Sequence, residues 1–473
     1  REKMEYDLVI VGAGPSGLSA AINFKKNCKR NGKDYSVCIV EKGSEVGAHI
    51  LSGAILEPTA LNELCNNWQG DDSCPVKVKV KEESVKFLNE SNAFTIPKIF
   101  IPPVMHNNGN YIISLGSFCK WLSVEAEKLG VEIYPGFAAS DILLNEKKLS
   151  GIITSDLGVD ENGKPGPNFQ PGIEIHAKYT LFAEGCRGHL GKRLMKEFGL
   201  RDNSEHQTYG IGLKELWEIK PENANEGEVL HTIGWPLDRD TYGGSFLYHL
   251  SNNLVSVGFV IGLDYKNPYL SPYDEFQKFK THPKINKLFE NGRRISYGAR
   301  ALNEGGWQSL PELTFPGGAL IGCDAGTLNT PKIKGTHTAM KSGMIAADEV
   351  YSELEKGNAN TELSNFKNKF LHSWAGVELK KARNVRPSFK FGLTVGMLYT
   401  GIDQILFRGK APWTLSHAEP DHLSLKNKKD CEPIVYPKPD GKLTFDKLTN
   451  VSFSSTYHEE NQPCHLKLTD DNI

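Results

Sequence analysis

The residues with the clearest chemical purpose stand near the start of the chain, where Gly12-Ala13-Gly14-Pro15-Ser16-Gly17 follows the apolar run Tyr6–Val11. Glycines at this spacing suit the grip on a pyrophosphate. Gly12 permits a tight turn, Gly14 lets the main chain approach the phosphates, and Gly17 lets a helix pack closely on the preceding strand. A helix beginning there offers free N–H groups and the positive end of its dipole to the anion. Glu41 closes the next strand-like run, Ser36–Glu41, where a carboxylate can accept hydrogen bonds from ribose hydroxyls. Strand, glycine turn, helix and strand make a parallel βαβ unit. A glycine turn that binds nothing does not account for the strand, helix and acid arranged around it.

Two later stretches extend this toward a flavin. FAEGCRG (182–188), with Glu184 and Gly185, resembles the junction that returns to the cofactor in two-lobed flavoproteins. LIGCDAGTLNTPKIKGTHTAM (320–340) resembles the segment that crosses the ribityl and isoalloxazine groups before a helix. That helix is expected to start near Gly335-Thr336, its dipole facing negative charge on the flavin. Many such proteins carry an acid where Cys323 stands; here it comes one residue later, at Asp324. The cofactor expected is FAD.

Further elements must carry these groups. Residues 114–130 read as an amphipathic helix followed by the strand VEIYPG, 156–172 as a hairpin tip or surface loop, and 177–188 as a strand running into a glycine turn. Between about 205 and 300 short β-like runs alternate with turns, the mark of a mostly antiparallel sheet. ALIGC (319–323) and a helix over 337–357 restore the α/β pattern; beyond about 410 proline and polar residues indicate irregular chain.

Composition excludes several classes. Lys plus Arg (55) nearly balance Asp plus Glu (57), so no basic field exists for nucleic acid. The 9 cysteines are scattered without a C-x-x-C pair, which argues for reduced thiols and against a local zinc or iron–sulfur signature. No apolar run is long enough to span a bilayer. FGLTVGMLYTGIDQILF (391–407) is broken by Asp403-Gln404 but flanked by Lys380, Lys381, Arg383, Arg386 and Lys390 before, and by Arg408, Lys410 and Trp413 after. Apolar surface between cations and tryptophan suits one leaflet; a buried core helix is the alternative.

Several long stretches, VGAHILSGAILEP (46–58), QTYGIGLKELW (207–217), GWPLDRDTYGGSFLYHL (234–250), YGARALNEGG (297–306), PKIKGTHTAMKSG (331–343) and YPKPDG (436–441), resemble the electron transfer flavoprotein–ubiquinone oxidoreductase family. The likeness covers residues 4–473. It implies electron flow from reduced electron transfer flavoprotein through FAD to ubiquinone, at a mitochondrial inner membrane (matrix face) or a bacterial cytoplasmic membrane. It adds Lys42, Gly47, Ser52 and Gly53 to the FAD contacts and matches Tyr242-Gly243-Gly244 to the segment whose main chain meets the quinone. Read without the family, Gly243-Gly244 would be a hairpin turn. The resemblance also implies a one-leaflet surface formed by 391–407 with a segment near 47–68, where Asn62, Glu63, Asn66 and Asn67 allow only partial lipid exposure and a buried core helix is again the alternative. The family's 4Fe–4S cluster is expected only of longer members, since the likeness stops at QPCHLKLTDDNI and neither Cys431 nor Cys464 fits a ligand position. No metal site is expected in this chain.

The fold expected is α/β and two-lobed. A Rossmann-like FAD domain comprises 1–75, 110–200 and 300–385, and a mostly antiparallel quinone domain comprises 76–109 and 201–299. A membrane-contact segment spans 386–413 and irregular chain 414–473. His231, His249 and His337 are candidate proton donors to the quinone. The rival readings are an NAD(P)H-dependent flavin reductase or monooxygenase of the same architecture, and a flavin-carrying membrane adaptor without turnover.

Overall fold

The computed structural model describes residues 1–50, 53–456 and 458–464. Ser52, one of the expected cofactor contacts, lies outside the described residues. The first sheet runs in the order Thr314–Phe315, Gly318–Leu320, Glu174–Phe182, Lys3–Val11, Val37–Glu41, Glu132–Pro135, with Ala139–Asn145 and Lys148–Thr154 attached beside Glu174–Phe182. The inner strands are parallel. Leu8–Val11, Val37–Val40 and Tyr179–Phe182 are buried without alternation, as befits strands covered on both faces. The helix Pro15–Arg30 packs tightly on Thr336–Glu355, because a Cβ on Gly343 would collide with the carbonyl of Ser16.

The second large sheet has seven strands, ordered Arg293–Asn303, Tyr209–Glu218, Leu254–Gly262, Gly243–His249, Glu228–Gly234, Glu82–Leu88, Ala93–Thr95. All its pairs are antiparallel except Glu228–Gly234 with Glu82–Leu88. The helix Pro272–Lys280 buries Phe276 and Phe279 against it, with Leu443 and Phe445 of the later chain on the same core. A small sheet, Ala54–Leu56, Tyr111–Ile113 and Val78–Lys79, joins the lobes: Ile55, Val78 and Ile112 form one cluster with Val229, Phe246 and Tyr248.

Two expectations change. Gly243 and Gly244 are the first two residues of a strand, paired opposite Ile261 and Val260, so the hairpin-turn reading is wrong. Strand pairing wins because a Cβ on Gly243 would lie 2.7 Å from Leu237, and neither glycine adopts a positive φ. The segment near 47–68 does not present its apolar side to the outside: Ala60, Leu61, Leu64 and Trp68 are buried in the first core. The Asp403-Gln404 interruption of 391–407 is turned inward, so the outer face stays apolar. Residues 157–170 form a two-stranded hairpin, and the described residues beyond 410 are irregular except for short turns and the helix Lys447–Ser452.

Candidate functional site

Gly12 has φ +104°, a conformation that suits glycine, and a Cβ there would lie 2.5 Å from the Ala183 carbonyl oxygen. The turn is therefore pressed against the 182–188 junction, and the Ala183 N–H donates to Val11 O at 2.8 Å. A Cβ on Gly17 would collide with the carbonyl of Gly12, whereas one on Gly14 would meet nothing within 4 Å. Gly14 is the N-cap of Pro15–Arg30; no side chain caps that helix and its first turn holds no acid. An open, uncapped, glycine-paved helix start is what a pyrophosphate requires.

The acids fall around it. Glu41 accepts from the N–H groups of Ala13 (2.9 Å) and Gly43 (2.7 Å), which fixes its carboxylate beside the glycine turn. Lys42 is exposed next to it. Gly47 has φ +90°, and a Cβ would lie 2.7 Å from the Gly116 carbonyl. Glu184 accepts from Gly191 N–H at 2.7 Å, and Gly185 has φ +83° with open space around it. Asp324 stands against Gly191, where a Cβ would strike its carboxylate. Burial, reinforced by Glu184, holds Asp324 well above the usual carboxylate range. Its Oδ2 and Ser16 Oγ are buried without a partner. Polar atoms left unmatched beside an open helix start need a polar ligand. A Cβ on Gly322 would lie 2.7 Å from Ser16, so the 3-10 turn Gly322–Asp324 is brought onto the same helix start. Gly335 caps the helix Thr336–Glu355, again with no side-chain cap. Gly53 lies at the lobe junction, where its carbonyl accepts from Lys214 Nζ at 2.9 Å. FAD fits this donor set: amides and open space for its phosphates, Glu41 for ribose, and Asp324 for a further hydroxyl.

Beside Asp324 opens a cavity of about 430 Å³ whose walls include Arg187, Gln207, Tyr209 and Asn303. Arg187 sits over the Tyr209 ring at 5.1 Å. These wall residues were not singled out from sequence, although Gln207, Tyr209 and Asn303 fall in stretches notable for their family likeness and Arg187 in the FAEGCRG junction.

Around Tyr242-Gly243-Gly244 the structure adds groups that spacing did not reveal. Gly262 N–H donates to Tyr242 O at 2.9 Å. The Arg386 guanidinium lies 4.1 Å from the Tyr242 ring centre and bonds Glu304 Oε2 (3.1 Å) and Asp264 Oδ2 (3.0 Å). Phe389 meets Tyr242 edge-on at 4.9 Å. Glu304 belongs to the stretch YGARALNEGG, which was the one available signal.

The three histidines are engaged elsewhere. His231 Nε2 pairs with Tyr248 OH at 2.9 Å, and burial pushes it down to about 3, so the ring is uncharged near neutral pH. His249 Nδ1 accepts from Asn225 N–H at 3.1 Å. His337 bonds Glu378 at 2.8 Å and stacks on Trp374. With Glu57 these two could hold a cation, but Lys332 already bridges Glu57 and Glu378. Glu378 resists its burial and is held to about 2 by His337 and Lys332.

One outer face is apolar. Val395, Leu398, Ile402, Ile405 and Leu406 are exposed, while Gly396, Thr400, Asp403 and Gln404 turn inward. Gln404 Nε2 donates to Asp403 Oδ2 (2.7 Å) and to Lys381 O (2.9 Å), which satisfies both polar groups. Pro103–Met105 touches Ile402–Leu406, and just before it Ile99 and Phe100 are 79% and 68% exposed. Among the described residues no helix is long and apolar enough to cross a membrane.

Comparison with known proteins follows this geometry closely. The family model described as "ETF-QO, ubiquinone-binding" matches residues 209–302, and a Rossmann-like NAD(P)-binding model matches 10–65. The model for the 4Fe–4S domain of electron transfer flavoprotein-ubiquinone oxidoreductase matches 441–473. That matched stretch contains a single cysteine, Cys464, and among the described residues no cysteine cluster forms, so these residues do not fit a four-thiolate cluster. The electron transfer flavoprotein-ubiquinone oxidoreductase of Pseudomonas aeruginosa is 54% identical over 100% of this chain and 87% of its own length. The mitochondrial mouse protein of the same name is 52% identical over 99% of this chain and 77% of its own. Among solved structures, a geranylgeranyl bacteriochlorophyll reductase-like protein from Thermoplasma acidophilum covers 85% of this chain and 96% of its own (TM-score 0.57, 16% identity). The flavin-dependent brominase Bmp2 covers 86% and 91% (TM-score 0.59, 17% identity). At such identities these two share the fold alone.

Proposed function

The chain belongs to the electron transfer flavoprotein–ubiquinone oxidoreductase family, and from that premise we propose which of its residues hold FAD, receive the quinone and meet the membrane. The protein is an oxidoreductase that binds FAD and passes electrons from electron transfer flavoprotein to ubiquinone. Bound FAD supplies the redox chemistry, accepting electrons and releasing them to the quinone.

The chain's own residues bind and orient. Gly12, Gly14, Pro15, Ser16 and Gly17 grip the pyrophosphate, Glu41 and Lys42 take the adenosine end, and Glu184, Gly185 and Asp324 line the return path. Gly47, Gly53, Gly335 and Thr336 complete the cradle. The single observation that carries this is the space over Gly14, empty to 4 Å in front of an uncapped helix start.

Gly243 and Gly244 present main chain to the quinone ring, with Tyr242, Arg386 and Phe389 closing the end of the strand. Absence of side chains lets a flat ring lie against backbone. Phe389 leads directly into the apolar face of 391–407, which gives a lipid-borne quinone a greasy approach. That face, with Ile99 and Phe100, meets one leaflet of a mitochondrial or bacterial membrane without crossing it. The FAD lobe comprises 1–75, 110–200 and 300–385, and the quinone lobe 76–109 and 201–299.

The test is anaerobic reduction of FAD-loaded protein, followed by a short-chain ubiquinone or NADPH offered separately. Quinone should reoxidise the reduced flavin, and NADPH should fail to reduce the oxidised form. NADPH oxidation would favour the reductase or monooxygenase reading; no reaction with quinone would leave only a flavin-carrying adaptor.

A further inference from the structure

Reduction of a quinone to a quinol adds hydrogen to both oxygens, so the pocket needs a proton supply as well as electrons. The three histidines already hold partners elsewhere: Tyr248, Asn225 and Glu378. Other titratable groups reach the Tyr242 end of the quinone strand from four separate parts of the chain.

Four strand ends lie side by side there. Gly243 pairs with Ile261, Gly262 with Gly210, and Tyr209 with Asn303, so Tyr242, Asp264, Gly210 and Glu304 line one edge. A Cβ on Gly210 would strike the Glu304 carboxylate, which places that carboxylate across the strand ends. Arg386 closes the edge from outside, bonded to Glu304 and Asp264 and stacked on Tyr242. Glu304 is 2% exposed.

A second carboxyl is fastened to the same step of backbone. Glu304 N–H donates to Thr208 O at 2.8 Å, and Tyr209 N–H donates to Asp421 Oδ2 at 2.7 Å. Asp421 Oδ1 is buried without a partner, and the next residue, His422, is exposed. A carboxylate oxygen left unmatched between a buried acid and the surface is unusual, because buried polar atoms are ordinarily satisfied.

We propose that Asp421 and Glu304 form the proton-delivery route from solvent to the quinone bound at Gly243-Gly244, with Arg386 as the residue that positions Glu304. The proposal rests on the quinone placement given above. As the quinone is reduced, Glu304 O–H gives its proton to a quinone oxygen, forming an O–H bond there and leaving a carboxylate paired with Arg386. Asp421 returns a proton to Glu304 and is refilled from solvent beside His422. A second cycle delivers the second proton, so one quinone, two electrons and two protons give one quinol.

The electrostatics agree with this role. Burial, aided by Asp264 and Asp421 and opposed by Arg386, pushes Glu304 up to about 6. Burial also pushes Asp421 up to about 6. Tyr242 and the Cys186 thiol face the same cluster, and His417 faces Arg386. Carboxyls in this range exchange protons close to neutral pH.

The experiment uses FAD-loaded protein, photoreduced anaerobically and mixed rapidly with a short-chain ubiquinone across the pH range around 6, in H₂O and in D₂O. Glu304→Gln is expected to slow quinone reduction roughly a hundredfold, with loss of the pH inflection, while Glu304→Asp restores part of the rate. Asp421→Asn should lower the rate and the solvent isotope effect's pH dependence together. Equilibrium binding of the same quinone to oxidised protein is measured in parallel, with Gly244→Ala as the probe of the pocket and its thermal melt recorded beside it, because its methyl would lie 2.5 Å from the Thr232 carbonyl oxygen of the paired strand. Unchanged pH profile and isotope effect in Glu304→Gln, with Gly244→Ala losing quinone affinity, would overturn the relay alone. Unchanged affinity and rate in Gly244→Ala would overturn the quinone placement, and the relay with it. Ferricenium, which takes an electron without a proton, controls for folding: equal slowing toward ferricenium and quinone in both Glu304 variants would also count against the relay.

Discussion

Lys280 Nζ lies 2.7 Å from Glu215 Oε2, and neither side chain has any exposure to solvent. Lys280 also donates to Leu443 O at 2.7 Å, while Glu215 accepts from Trp217 Nε1 (2.8 Å), Gln277 Nε2 (3.2 Å) and Asn450 Nδ2 (3.1 Å). Sheet, helix and C-terminal chain thus meet on one buried pair, and Asn450 lies in the stretch that the 4Fe–4S family model matches. Lys280→Met is expected to cost about 3–5 kcal/mol, because it strands a buried carboxylate. Adding Glu215→Leu should recover much of that loss in denaturant unfolding. Strictly additive losses would show that the two charges are not energetically a pair.

Gly14 and Gly17 separate binding from folding. At Gly17 a methyl group has no room, because the Gly12 carbonyl occupies its place, so Gly17→Ala should lower thermal stability whether or not FAD is present. Gly14 has φ −82° and open space, so Gly14→Ala should leave the apo-protein's melting temperature nearly unchanged. Its methyl would stand where the pyrophosphate must come closest. FAD affinity is expected to fall by at least about tenfold, or roughly 1.4 kcal/mol. Isothermal titration with FAD checks this; full affinity in Gly14→Ala would remove Gly14 from the site.

The parallel core was readable because its signals are local. Glycine spacing, an uninterrupted apolar strand and a following helix occupy 36 residues, and each of these dictates its own geometry. Gly243-Gly244 shows the limit of that approach. A glycine pair signals a turn when only neighbours in sequence are considered, but here the constraint comes from Leu237 and the paired strand. Arg386, Glu304 and Asp264 gather from segments more than 100 residues apart in total, and nothing in their spacing announces it. Asp403-Gln404 interrupts the apolar run in sequence, and only the fold shows how the pair is met: Asn384 and Lys381 satisfy it from within.

The apolar face of 391–407 should be separable from the fold. Leu398 and Leu406 are 68% and 75% exposed, so replacing them loses little packing. Leu398→Glu with Leu406→Glu is expected to leave thermal stability within about 0.5–1 kcal/mol of the parent. Sedimentation with anionic liposomes should show binding reduced at least about tenfold, because two buried leucine side chains contribute roughly 1.5–3 kcal/mol each. Undiminished liposome binding would mean that another surface meets the bilayer. Raised salt should weaken the parent's binding only in part, since the flanking Lys381, Lys390 and Arg408 supply just the screened component.

His231 makes a prediction about acid stability. Burial and Lys334 push the folded-state value down from 6.5 to about 3, while in the unfolded chain the ring titrates normally. The unfolded state therefore binds the proton more readily over that interval, and stability is lost as pH falls through it. The slope this one group contributes approaches about 1.4 kcal/mol per pH unit. His231→Gln keeps a hydrogen-bonding partner for Tyr248 OH but cannot titrate. Urea unfolding between pH 6.5 and the acid limit of folding should give a visibly shallower loss of stability for this variant than for the parent. Parallel curves for the two proteins would mean that the ring is protonated in the folded state, and would restore His231 as a group able to give a proton.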